Sequence, residues 1–239
     1  MPNAWNDLST RLSAALNLAT APIAITFSAA APDGVEPFDR PLPAPLDDGR
    51  TGRVPAGCVF WNFATESTFS TVKADHGNCS VGSLTHGFVT LDEVAGNGDV
   101  AALLETGWVT MDVVPQIPVV TQAPGAVTYG PLAESPIDPD VVLLRVNGKQ
   151  LMVLSDAIPG LRVEGKPQCH IVAIAKEQGE IAASVGCALS RVRTAMPATE
   201  MTIAIPAGQV GGVIDAVERN AVADAAVARY ASEDMQRFA

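Results

Sequence analysis

The run Cys169-His170-Ile171-Val172-Ala173-Ile174-Ala175, the turn at Gly179, the stretch Ile181-Ala182-Ala183-Ser184-Val185 and then Gly186-Cys187-Ala188-Leu189-Ser190-Arg191 hold the plan of the chain in small. The first run reads as a helix, Ile181 to Val185 as a short strand, and Cys187 as a residue delivered to the next turn. Upstream the same order recurs. Cys58-Val59-Phe60-Trp61-Asn62-Phe63-Ala64 has the aromatics to anchor the first turns of a helix in a core, and Thr68-Phe69-Ser70-Thr71-Val72 is strand-like. Asp75-His76-Gly77-Asn78-Cys79-Ser80-Val81-Gly82 is a turn entering a helix that Asn78 or Ser80 can cap. Twenty residues lie between Cys58 and Cys79, and seventeen between Cys169 and Cys187. The matched order suggests two pseudo-symmetric lobes whose equivalent turns bring four thiols to one interface, although identity between the halves is low.

Working outward, Leu8, Leu12, Ala15, Leu16 and Ala19 recur at helical spacing before Pro22, and Pro22 to Phe27 suits a buried strand. Six prolines between Pro32 and Pro55 predict an irregular surface loop, since each fixes φ and removes a donor. Residues Asp99 to Glu105 read as helix, and Val109 to Val120, broken by Pro115 and Pro118, as a passage between lobes. Then come a strand at Asp140 to Leu144, a helix from Lys149 to Ala157, a strand from Glu200 to Ile205, and a long Ala-rich helix after Pro206 with Val210, Val213, Ile214 and Val217 on one face. The expected fold is α/β (or α+β): a single domain over 1–239 of two intimately packed lobes, 1–114 and 115–239, built from short mixed sheets and helices.

The chain has 239 residues, 26 acidic against 15 basic, a formal net charge of −11, 48% hydrophobic and 17% charged residues. Disorder is excluded, and an acidic surface without basic runs makes nucleic acid and anionic membranes poor partners. No stretch approaches the ~20 apolar residues of a membrane span, and Met1-Pro2-Asn3-Ala4-Trp5 lacks the basic start of a secretory signal, so a cytoplasmic location is expected. In that reducing setting, Cys58, Cys79, Cys169 and Cys187 point to thiol chemistry or metal ligation before disulfides. A homo-oligomer is compatible with all of this.

The stretch Ala183-Ser184-Val185-Gly186-Cys187-Ala188-Leu189-Ser190-Arg191, with Glu200-Met201 and Ile205-Pro206, resembles the C-terminal signature of the DUF169 family, an uncharacterised bacterial and archaeal group. Asp140-Val141-Val142-Leu143, Gln150-Leu151-Met152, Cys58, Asn78-Cys79 with Gly87-Phe88, and Cys169 match its other landmarks. The resemblance spans about Leu8 to Gly212 and implies family membership more than an activity. Where the family pattern often carries a further cysteine, this chain has Ser190, so a site needing five thiols is in doubt.

Four thiolates suit an iron–sulfur cluster, with [4Fe–4S] favoured and zinc as the alternative, because sulfur is a strong donor to both and four ligands complete either geometry. The spacing lacks a close C-x₂-C pair, so assembly depends on the fold; free cysteines are also commonly small buried hydrophobes. Three thiolates on a cubane would leave one iron open as a Lewis acid, whereas four favour electron transfer. His76 and His170 are candidates for a general acid or a further ligand, and Arg191 for holding an anionic group, set against structural roles for each, such as an Arg191 bridge to Glu200 or Asp215. His86 reads as packing before Gly87-Phe88. With no P-loop, G-x-G-x-x-G, H-E-x-x-H or G-x-S-x-G, nucleotide cofactors have no support.

Three functional readings follow. The first is a cysteine-ligated iron–sulfur or thiophilic-metal enzyme, an oxidoreductase or lyase, acting on a small anionic molecule. The second is a non-enzymatic binding or sensing module with structural cysteines. The third is a cofactor-independent thiol enzyme using Cys187.

Overall fold

The computed structural model describes residues 4–40, 57–165, 167–194 and 196–238. In chain order the elements are α1 (Ala4–Leu16), β1 (Ile23–Ser28), α2 (Gly57–Phe63), β2 (Phe69–Thr71), α3 (Ser80–Thr85), α4 (Leu91–Val94), α5 (Gly98–Glu105), β3 (Ala126–Pro131), β4 (Val141–Asn147), α6 (Gly148–Ala157), β5 (Arg162–Glu164), α7 (His170–Ala173), β6 (Ala182–Ser184), α8 (Ala188–Thr194), β7 (Glu200–Pro206) and α9 (Val210–Met235). The fold is mixed α/β.

The strands form one sheet in the order β2-β3-β1-β4-β7-β6-β5. Every pairing is antiparallel except β5 with β6. Both faces are covered, which is why the inner strands are nearly continuous apolar runs. Period-two alternation sends Ile23, Ile25, Val141, Leu143 and Ala204 to one face, where α2, α3 and α7 pack. Ala24, Val142, Leu144, Ile203 and Ile205 go to the other, under α1, α6 and α9. On α9 the buried residues are Val210, Val213, Ile214 and Val217, the expected face; beyond them Val222, Val227, Tyr230 and Met235 are exposed.

The topology repeats outward from the central β1–β4 pair. On one side lie β3 and then β2, on the other β7 and then β6, with β5 added beyond. Each half also runs in a related chain order, with α4 and α5 inserted in the first and α6 and β5 in the second: central strand, helix with a cysteine at its start, outer strand, cysteine-led helix, middle strand. The internal boundary therefore falls between β3 and β4. A division at 114/115 separates β3 from the two strands it lies between, β1 and β2, and the expected lobes share one sheet.

Two further features differ from expectation. Within the six-proline segment, Phe38 N–H donates to the Ser70 carbonyl (2.8 Å) and Ser70 N–H to the Glu36 carbonyl (2.9 Å), so residues 36–38 run alongside β2, and the Phe38 ring packs edge-on against Phe60 and Phe69. The rest of that segment, 41–56, lies outside the described residues. Strand β3 had no sequence forecast at all, although it pairs with both β1 and β2.

Candidate functional site

Each cysteine stands at a helix start on the α2/α3/α7 face. Cys58 is the second residue of α2, Cys169 immediately precedes α7, and Cys187 follows Gly186 and precedes α8. Cys79 is the N-cap of α3, and the expected caps, Asn78 and Ser80, do not serve. The Cys79 sulfur accepts the Gly82 N–H (3.4 Å), while the Ser80 N–H is taken by Asp99 (3.0 Å). Gly186 has φ +110, and a Cβ there would lie 2.7 Å from the Arg191 guanidinium, so only glycine fits the turn that presents Cys187.

All four cysteines line one cavity, closed by Gly57, Val81, Gly82, Trp108, Gln168 and Ser190 among others. The room between them is about 20 Å³, enough for one water. Cys79, Cys169 and Cys187 are buried and Cys58 is half-buried. Burial pushes the Cys169 thiol well above its ordinary range; Cys79 adds to this, and the Thr85 hydroxyl opposes it. Cys187 is raised by burial and opposed mainly by the backbone N–H groups of Ser190 and Leu189. Hydrogen-bond donors thus favour anionic sulfur at places where burial alone forbids it. Burial favours the protonated form at Cys169 and Cys187.

The three other candidates stand apart from this cavity. His76 is fully buried between the rings of Phe60 and Phe88, with Nε2 3.0 Å from Thr71 Oγ1 and Nδ1 unpartnered among the described residues. Desolvation, then the neighbouring His86, holds its pKa well below 6.5, so it is a neutral core imidazole. His170 turns away from Cys169 towards Glu164 (3.4 Å) and does not line the cavity. Arg191 bonds neither the Glu200 carboxylate nor Asp215. Its guanidinium donates to the carbonyls of Pro197 (2.6 Å), Val185 (2.8 Å) and Glu200 (3.1 Å), clamping the Cys187 turn with no donor aimed at an anionic ligand. Arg193 has no described side chain. His86 does pack: Nδ1 lies 2.9 Å from the Gly82 carbonyl, and its ring lies against Gly57.

A Cβ at Gly57 would stand 2.7 Å from the His86 ring. Gly57→Ala is therefore expected to cost about 1–3 kcal/mol, read from the denaturant midpoint, because a buried, bonded imidazole cannot move aside.

The cavity also has walls that sequence reasoning passed over. Gln168 donates to Ser190 Oγ (2.7 Å), and these two residues with Cys58 also border a second, smaller cavity lined by Trp61, Asn62, Arg145, Met196, Glu200 and Thr202. Arg145 and Glu200 form a two-pronged ion pair (2.7 and 2.9 Å) across β4 and β7. Over Trp108 lies the α4–α5 segment; α5 has no buried residue, and an apolar void of about 30 Å³ lies beneath it. This is the part of the enclosure most able to give.

The fold and site together define a mixed α/β protein with a four-thiol cavity on one face of its sheet. The chain belongs to the DUF169 family, described as uncharacterised ArCR, whose family model matches residues 11–216. No curated protein and no solved structure matches it significantly. Among the described residues, no helix is long and apolar enough to cross a membrane.

Proposed function

We propose that the protein is an oxidoreductase-type electron carrier that holds a [4Fe–4S] cluster on Cys58, Cys79, Cys169 and Cys187. The observation that carries this is the lining of one cavity by all four thiols of the chain. A cluster bound there would supply one-electron chemistry. Four cysteine donors favour this over hydro-lyase chemistry, which needs an open iron.

The chain's own residues do the rest. The Gly82 N–H bonds the Cys79 sulfur, and N–H groups at Leu189 and Ser190 favour thiolate at Cys187. Val81, Trp108 and Leu189 exclude water. The present 20 Å³ would have to widen for a cluster as for any ligand; among the described residues no Lys, Arg or His lines the cavity, so nothing there selects an anionic substrate. That weighs against the binding-module reading at this place. A Cys187 thiol raised by burial is a poor nucleophile, which weighs against the third reading.

Protein purified anaerobically from iron-replete cells is expected to be coloured, to carry about four irons and four sulfides per chain, and to bleach reversibly on reduction. Each single Cys→Ser substitution is expected to reduce the iron content sharply. Colourless, metal-free protein from such a preparation would end the reading.

A further inference from the structure

We infer that the small cavity behind Cys58 is a binding site for a single ordered water, which joins the Cys58 sulfur to the polar interior of the sheet. The inference goes beyond the proposed cofactor and stands whether or not one binds.

Three polar atoms carry it. Trp61 Nε1, Gln168 Oε1 and Thr202 Oγ1 belong to side chains at least nine-tenths buried, and among the described residues none has a hydrogen-bond partner. All three residues line the same cavity, whose free room is about 10 Å³. A buried polar group left unpaired costs about 1–3 kcal/mol, so three around one void form a strong demand for a partner that the described residues do not supply. A void of that size takes one water and nothing larger.

The bonding requirements of the lining match those of water. The indole N–H of Trp61 can only donate, and the amide oxygen of Gln168 can only accept. Gln168 cannot easily rotate away, because its Nε2 is held by Ser190 Oγ at 2.7 Å. Thr202 projects from β7, and its hydroxyl can donate. A central water accepts from Trp61 and Thr202, donates one hydrogen to Gln168 Oε1, and has one hydrogen left for Cys58, which forms the wall shared with the thiol cavity. All four of its positions are then filled. Arg145 and Glu200 close the outer side as a two-pronged ion pair. The water's second hydrogen thus reaches the wall that Cys58 forms between the two cavities.

A high-resolution crystal structure of the full chain, in whatever metal state it is isolated, tests this. The expected result is density for one water about 3 Å from Trp61 Nε1, Gln168 Oε1 and Thr202 Oγ1, and within reach of Cys58 Sγ. An empty cavity, or the three atoms turned onto protein partners, would overturn it. In solution the Trp61 indole proton should show a cross-peak to a long-lived water. Thr202→Val, which keeps the side-chain shape and removes the hydroxyl, should weaken that peak severalfold. An unchanged peak would remove Thr202 from the site and sink the four-partner assignment. Should the variant not fold, the wild-type density and cross-peak decide the matter alone.

Discussion

Acidification from about pH 6.5 to about pH 4.5 is expected to destabilise the protein by several kcal/mol, enough to begin unfolding a domain of ordinary stability. The cause is the pair of imidazoles buried beneath the thiol cavity. His76 and His86 lie with ring centroids 5.4 Å apart and are almost wholly inaccessible. Desolvation holds His86 at about 4 and His76 well below 6.5. Above pH 6.5 both histidines are neutral in the folded and the unfolded chain, so neither changes the balance. Below it the unfolded chain takes up a proton on each, and the folded chain refuses. Stability therefore falls with falling pH by about 1.4 kcal/mol per unit per histidine, and the loss from His86 levels off near its folded value at roughly 3 kcal/mol. His170, lowered chiefly by burial, acts in the same direction. Urea midpoints across this window measure the slope. His76→Phe, which suits the surrounding rings of Phe60, Phe88 and Tyr129, should remove about half of it. A flat profile between the two pH values would contradict the burial argument.

Loading the four thiols with iron and sulfide is expected to release protons and to tighten steeply as pH rises. Burial holds Cys169 and Cys187 above the ordinary thiol range, so each must lose its proton when it ligates. The thiols should release about four protons per chain and the hydrosulfide at least four more in weakly buffered solution, and each thiol that ionises on loading contributes up to tenfold in affinity per pH unit below its pKa. The loaded protein should unfold at a much higher temperature than the metal-free one, since a ligand bound only to the folded state adds its binding free energy to stability. Release of no protons, or loading indifferent to pH, would argue that the thiols are spectators.

Much of the scaffold was readable from residues alone. The apolar runs at Ile23, Val141 and Ile203, and the helical spacing of Val210, Val213, Ile214 and Val217, are strong periodic signals that burial in the sheet and against α9 explains. Strand β3 was not, because Gly130-Pro131 ends it with the two residues that usually argue against a strand. Glycine is needed at 130 since a Cβ would collide with the Thr68 hydroxyl, and Pro131 is tolerated at the strand end. The cysteines could be assigned to helix starts from local pattern, but their common cavity is a product of sheet order, which no local signal encodes. His76, His170 and Arg191 look reactive in one dimension. Burial makes His76 and His86 core rings, and three carbonyls make Arg191 a clamp. The β4–β7 register sets Arg145 opposite Thr202 and near Glu200, while Trp61 and Gln168 reach them from α2 and from the approach to α7.

Strand β1 is the innermost member of its half of the sheet, yet its two neighbours, β3 and β4, begin about a hundred residues later. During synthesis that early segment has both edges open until more than half of the polypeptide has emerged. Such distant pairing is slow and leaves sticky backbone exposed meanwhile, so newly made chains should depend on molecular chaperones, and any inorganic centre can be installed only after translation is nearly over.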